Sequence, residues 1–168
     1  MPDHVDDVLA AWRRELPGAL TGTSELSKRV LDLARTLSAA MADAVSPFDL
    51  SVAEYDILAA LRRTPAPRRL TPSQLAAELI LSSGGVTKAL HALAGRGLIE
   101  RQLHPADRRR SFILLTPAGE SLSEKAVTAS ASAQHATFTG VASRDTAATT
   151  RVLRALMQCL DNGPNLRR

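Results

Sequence analysis

Between Ser83 and Thr116 the spacing of apolar residues changes, and that change restricts the fold more than any other feature of the chain. Val86, Ala89, Leu90 and Leu93 recur at intervals of three and four, which marks one face of a helix. Gly95 and Gly97 then offer the left-handed backbone that ends helices at little cost. Beyond them, Leu-Ile-Glu-Arg-Gln-Leu from Leu98 and Ser-Phe-Ile-Leu-Leu from Ser111 have strand character. The polar stretch His104-Pro105-Ala106-Asp107-Arg108-Arg109-Arg110 between them reads as a turn. A helix from about Ser83 to Ala94, followed by a two-stranded hairpin with a charged tip, is therefore predicted.

The residues before Ser83 place two more helices directly upstream. Ser51-Val52-Ala53-Glu54 fits a capping box, in which a hydroxyl and a carboxylate three residues apart satisfy opposing free N–H groups, so a helix starts near Val52 with Ile57, Leu58 and Leu61 inward. Pro65 and Pro67 end it, because proline lacks the amide donor and fixes the chain extended. Thr71-Pro72-Ser73-Gln74 repeats the capping logic and opens a helix to about Leu79. Helix, helix, short turn, helix, strand, charged turn, strand is the order of a winged helix-turn-helix.

Longer helices flank this block. Leu26, Val30, Leu33, Leu37, Met41 and Val45 form one stripe of a helix from Ser24 to Val45, closed by Pro47. A shorter amphipathic piece, Val8 to Leu16, precedes it. Thr116-Pro117 opens an alanine-rich helix to about Phe138, and Val152, Leu153, Leu156, Met157 and Leu160 stripe a last helix from Ser143 to Leu160. The first long helix and the last one are too apolar to stand in water separately, so their stripes should meet a partner.

Composition bounds the rest. With 45% hydrophobic and 23% charged residues the chain has the balance of a folded domain. Cys159 is the single cysteine, so no disulfide forms within the chain, and its place on the last apolar stripe implies a buried, inert thiol. The acidic, proline-broken amino terminus does not resemble a signal peptide, and no apolar run approaches the roughly 20 residues that cross a bilayer. A cytoplasmic protein without a membrane segment is expected. The net charge of +4 is unevenly spread: residues 62–110 hold ten basic and three acidic residues, a net +7, against −3 for the remainder. A polyanion partner fits this asymmetry, and so does a solvated arginine-rich surface.

The helix from Ser83 is suited to a DNA major groove, where base edges carry a distinct pattern of donors and acceptors. Ser83, Thr87 and His91 lie four apart on its polar side with Gly84 and Lys88 beside them. Gly84-Gly85 costs helix propensity, about 1 kcal/mol per glycine, and close approach to a phosphate or base edge gives a reason for it. At the hairpin, Asp107 can bridge one guanidinium and leave another, Arg109 foremost, to enter a narrow minor groove. The candidate DNA-contacting set comprises Thr71, Ser73 and Gln74 before the turn, then Ser82, Ser83, Gly84, Gly85, Thr87, Lys88 and His91. Arg101, Asp107, Arg108, Arg109 and Arg110 complete it on the wing.

The run LSSGGVTKALHALAGRGLIERQLHPADRRRSFILLTPAG resembles the core of the MarR family of bacterial transcription regulators. Gly97-Leu98-Ile99 leading into the wing, Asp107-Arg108-Arg109 in the turn and Leu115-Thr116 closing the strand follow in the family's order. The resemblance implies a mainly α fold with a small β-hairpin, in which a winged helix-turn-helix DNA-binding lobe is joined to a lobe of terminal helices. On that plan residues 1–50 and 117–168 dimerise and residues 51–116 read DNA. It further implies a homodimer on a pseudo-palindromic double-stranded site, repression as the commoner outcome, and release by a small aromatic or phenolic effector. Trp12, in an amino-terminal helix, resembles a feature of a branch with urate-responsive members and is the one candidate ligand-binding residue.

Two other classes compete. Catalysis is not expected: His4, His91, His104 and His135 are scattered without metal-ligand spacing, no glycine-rich phosphate loop follows a strand, and neither metal nor cofactor is implied. A winged helix used only for protein contact keeps the fold but needs no basic wing, and Asp107-Arg108-Arg109-Arg110 discriminates against it.

Overall fold

The computed structural model describes residues 2–79, 83–104 and 107–162; the side chains of Ser83, His104 and residues 107–110 lie outside the description. Two units are distinguished, Met1–Thr137 and Phe138–Arg168. The first contains α1 (His4–Glu15), α2 (Ser24–Val45), α3 (Val52–Arg63), α4 (Pro72–Leu79), α5 (Ser83–Gly95), α6 (Pro117–Thr137) and the strands β1 (Arg69–Leu70), β2 (Ile99–His104) and β3 (Asp107–Leu115). The second contains α7 (Ser143–Asn162).

α1 begins earlier than the apolar spacing indicates. Asp3 accepts from the amides of Val5 and Asp6 while Asp6 reaches back to the Asp3 amide, a capping box that extends the helix toward the chain start. Arg29 of α2 then grips both carboxylates, at 2.6 Å to Asp3 and 2.6 Å to Asp6. Hydrogen bonding to that guanidinium holds the Asp3 carboxyl below its usual value. Val5 and Leu9 are buried, whereas Trp12 stays half exposed.

The stripe of α2 divides in two. Val45 is buried and Met41 packs on the core, but Leu26, Val30 and Leu33 remain exposed. A single 3-10 turn, Ser46–Phe48, ends the helix and leaves Asp49 in the left-handed region at φ 56°. From there the capping box of Ser51 and Glu54 launches α3 as expected. Ile57, Leu58 and Leu61 of α3 are buried with Leu75 of α4, Leu90 and Leu93 of α5 and Ile113 of β3. These residues tie the three helices and the sheet into one core.

The sheet corrects two expectations. It has three antiparallel strands in the order β1-β3-β2 where the spacing indicated a two-stranded hairpin, with Arg69 opposite Leu114 and Leu70 opposite Ile113. Two residues are too few to show alternation, and the prolines beside them mask the extension. In addition, Asp107–Arg110 form the first part of β3, and His104 pairs with Asp107, so the turn is shorter than the polar composition implied. Pro105 and Ala106 lie outside the described residues, as do Ile80, Leu81 and Ser82.

α6 packs along α2 and α3 through small residues, with Gly119, Ser123, Ala126 and Ser130 buried. Gly119 is required: a Cβ there would lie 1.9 Å from the Leu98 carbonyl oxygen. In the second unit, α7 buries none of its residues, and Val152, Leu156, Met157 and Leu160 are exposed. Cys159 is also exposed, which corrects the expectation of a buried thiol: it shares the exposure of the apolar stripe on which it lies. No helix among the described residues is long and apolar enough to cross a membrane.

Candidate nucleic-acid interface

α5 separates its residues by face as the spacing demands. Val86, Ala89, Leu90 and Leu93 point into the core, while Gly84, Thr87, Lys88 and His91 are exposed and, with Ala92, line an open concavity of about 700 Å³. Among the described residues a Cβ on Gly84 would touch nothing, so the helix surface there is open to close approach. Gly85 is half-buried, and Ser83 contributes its backbone to the first turn of the helix. Ser82 lies outside the described residues.

The helix ends on a C-cap in which Gly97 alone, not Gly95, takes positive φ, at 66°. The Leu98 amide donates to the Leu93 carbonyl at 3.0 Å and the Gly97 amide to the Ala94 carbonyl at 2.9 Å. Gly95 is the last helical residue. This sharp stop turns the chain straight into β2.

At the start of α4 the candidates Thr71, Ser73 and Gln74 are brought together. The Thr71 amide donates to Gln74 Oε1 at 2.8 Å, the Gln74 amide donates to Thr71 Oγ1 at 3.3 Å, and the Thr71 and Ser73 hydroxyls lie 3.1 Å apart. Thr71 and Gln74 thus work first as caps. Among the described residues the side-chain amide nitrogen of Gln74 makes no hydrogen bond, which leaves its two donors for an outside group.

The basic block of the sequence is smaller in three dimensions. Arg62 pairs with Glu124 at 2.6 Å, Arg63 with Glu78 at 2.5 Å and Arg68 with Glu120 at 3.0 Å. Arg69 stacks over the Phe112 ring, 4.4 Å from its centroid, a cation–π contact. Arg96 turns back toward main-chain carbonyls. Lys88 on α5 and Arg101 on β2 are exposed and, among the described residues, make no ion pair. Asp107, Arg108, Arg109 and Arg110 are placed by their backbone alone, as the strand leaving the wing's tip. Sequence reasoning missed the roles of Arg69, Arg96 and Gly119, because each answers to a neighbour distant along the chain.

Trp12 lies apart from these residues. It lines a groove between α1 and α2 of about 370 Å³, with Val8, Leu9, Ser24, Lys28 and Leu31.

Known proteins supply a frame for this arrangement. A MarR family model matches residues 48–110. The HTH-type transcriptional regulator PecS of Dickeya dadantii (strain 3937) is 33% identical over 134 residues, 74% of this chain and 75% of its own. The crystal structure of a mutant MarR from E. coli complexed with operator DNA is similar at TM-score 0.68 and 20% identity, over 86% of this chain and 96% of that one. BpsR of Bordetella bronchiseptica, solved in work on regulation of its DNA binding by 6-hydroxynicotinic acid, is similar at TM-score 0.70 and 21% identity, over 83% and 98% of the two chains. At such identities the structural likeness establishes the fold, a winged helix among terminal helices.

Proposed function

The chain belongs to the MarR family of transcriptional regulators, and on that premise we propose that it is a repressor which binds a pseudo-palindromic double-stranded operator as a homodimer. The exposed row Gly84, Thr87, Lys88 and His91, directly opposite the buried row of α5, is the observation that carries this reading. A helix anchored on one side and exposed on the other enters a major groove, where Thr87, Lys88 and His91 meet base edges and phosphates. Gly84 and Gly85 admit the backbone of the first turn close to the duplex, and Ser82 and Ser83, which precede them in the sequence, are included in the proposed contact. The caps Thr71 and Gln74, with Ser73, present the start of α4 to a phosphate. In this proposal Arg101 and the arginines at 108–110, which follow Asp107 along β3, serve the neighbouring backbone and minor groove.

Residues 1–50 and 117–168 supply the dimer contacts in this proposal, and residues 51–116 read DNA. Support comes from the exposed Leu26, Val30 and Leu33 on α2 and, separately, from the exposed stripe of α7. Effector release rests on the groove holding Trp12 and Lys28, whose volume and mixed lining suit a small aromatic acid. The work on BpsR gives a precedent in the fold for a ligand of this kind.

Footprinting the purified protein on the DNA upstream of its own gene tests the proposal. Two protected half-sites centred about 10 base pairs apart, or a multiple of that, are expected, with protection lost on adding a small aromatic acid. Uniform protection at every sequence tested would remove operator recognition. Protection indifferent to a panel of aromatic and phenolic acids would remove the effector.

A further inference from the structure

Residues 96–98, where α5 ends, are held from two sides. On one side the Arg96 guanidinium donates to the Asp49 carbonyl and, at 3.0 Å, to the Phe48 carbonyl. Those carbonyls end the 3-10 turn that closes α2, and Asp49 is pinned there by its left-handed φ and by a hydrogen bond of 2.9 Å that its amide donates to the Ser46 carbonyl. On the other side Thr116, at the head of α6, donates its hydroxyl to the Gly97 carbonyl at 2.7 Å and its amide to the Leu98 carbonyl at 3.1 Å. Gly119, one turn further on, lacks the Cβ that would strike the Leu98 carbonyl.

We propose that Arg96 is a positioning residue, which fixes the angle of α5 for DNA by tying its last turn to the end of α2. The inference rests on the regulator reading above. Of the ties at this junction, those to Thr116 and Gly119 run through the cap, the backbone and the packing of α6, so their loss would disturb the fold. Arg96 is exposed and uses only its side chain. Its chemistry fits the task. The planar fork of a guanidinium can meet two successive carbonyls at once, and carbonyls at the end of a helical turn carry partial negative charge. An ammonium group would hold one of them as a point charge.

Full-length wild-type protein, Arg96→Ala and Arg96→Lys are compared on an operator fragment and on a scrambled duplex of equal length, across a series of salt concentrations. Arg96→Ala is expected to weaken operator binding about tenfold with scrambled-duplex binding unchanged, and Arg96→Lys to fall between. The slope of log affinity against log salt should stay at the wild-type value, because no phosphate contact is lost. A slope shallower by about one would instead make Arg96 a phosphate contact, and unchanged operator affinity would remove any role in presenting α5. Either result overturns the proposal. Amide hydrogen exchange without DNA provides a second measurement. Faster exchange confined to residues 46–50 and the last turn of α5 is expected in Arg96→Ala, and wild-type rates there would contradict the tie. Failure of the wild-type chain to prefer the operator would sink the regulator reading, while the exchange result would still decide whether Arg96 ties the two elements.

Discussion

Lys88 and Arg109 carry the same charge but stand on different elements, and they should fail differently. Lys88 extends from the exposed face of α5, beside Thr87 and His91. Arg109 lies on the strand that leaves the wing's tip. Lys88→Ala should weaken binding to the operator and to unrelated DNA alike if it holds a phosphate, and should relax preference at one or two base pairs if it meets a base edge. Arg109→Ala should reduce preference for a narrow, A·T-rich minor groove and leave the major-groove positions unaltered. Binding-site selection with each variant separates these outcomes. An identical motif and affinity for both would mean that neither side chain faces DNA. Legibility also varies residue by residue. The cap pairs Ser51 with Glu54 and Thr71 with Gln74 were readable because their chemistry closes within three residues. Arg96 was not, because its partners are main-chain carbonyls, which every sequence supplies.

Elements were readable in proportion to their length and to how local their reasons are. α2, α3, α4, α5 and α6 begin and end within a residue or two of the limits set by apolar spacing, caps and prolines. β1 was hidden, since its two residues make sense only beside Leu114 and Ile113 far along the chain. The cationic start of β3 was hidden by its composition, because a run of charged residues after a proline reads as a loop rather than as alternating strand. α6 shows what local reading omits. Its alanine-rich pattern identifies a helix, but the need for Gly119 comes from Leu98, whose carbonyl the helix approaches too closely for any side chain. Gly119→Ala gains helix propensity and should nevertheless destabilise the protein by about 1–3 kcal/mol through overpacking against backbone. Thermal unfolding checks this: a Tm several degrees lower is expected, and a Tm equal to or above that of the wild type would contradict the close approach of α6 to the wing.

At the scale of the molecule, exposed apolar surface is the feature that a single chain leaves unexplained. Leu26, Val30 and Leu33 on α2, and Val152, Leu156, Met157 and Leu160 on α7, are each at least 36% exposed. The proposed homodimer would cover them, and Leu156→Asp should then shift the sedimenting species from twice the 17.9 kDa chain mass toward the single chain. Leu156→Asp sedimenting like the wild type would place the dimer contacts elsewhere. Three of the arginines that make the middle of the sequence basic are spent on Glu78, Glu120 and Glu124. Attraction for a polyanion therefore rests on fewer cations than the sequence count implies. The central claim is that α5 and the wing together meet a duplex, and operator affinity measured against salt concentration tests it most directly. Each neutralised phosphate contributes about −0.9 to the slope of log affinity against log salt, so a slope of several units is predicted, shallower in Arg109→Ala, together with a preference for operator over scrambled duplex of at least about a thousandfold. A slope near zero, or equal affinity for both duplexes, would contradict it.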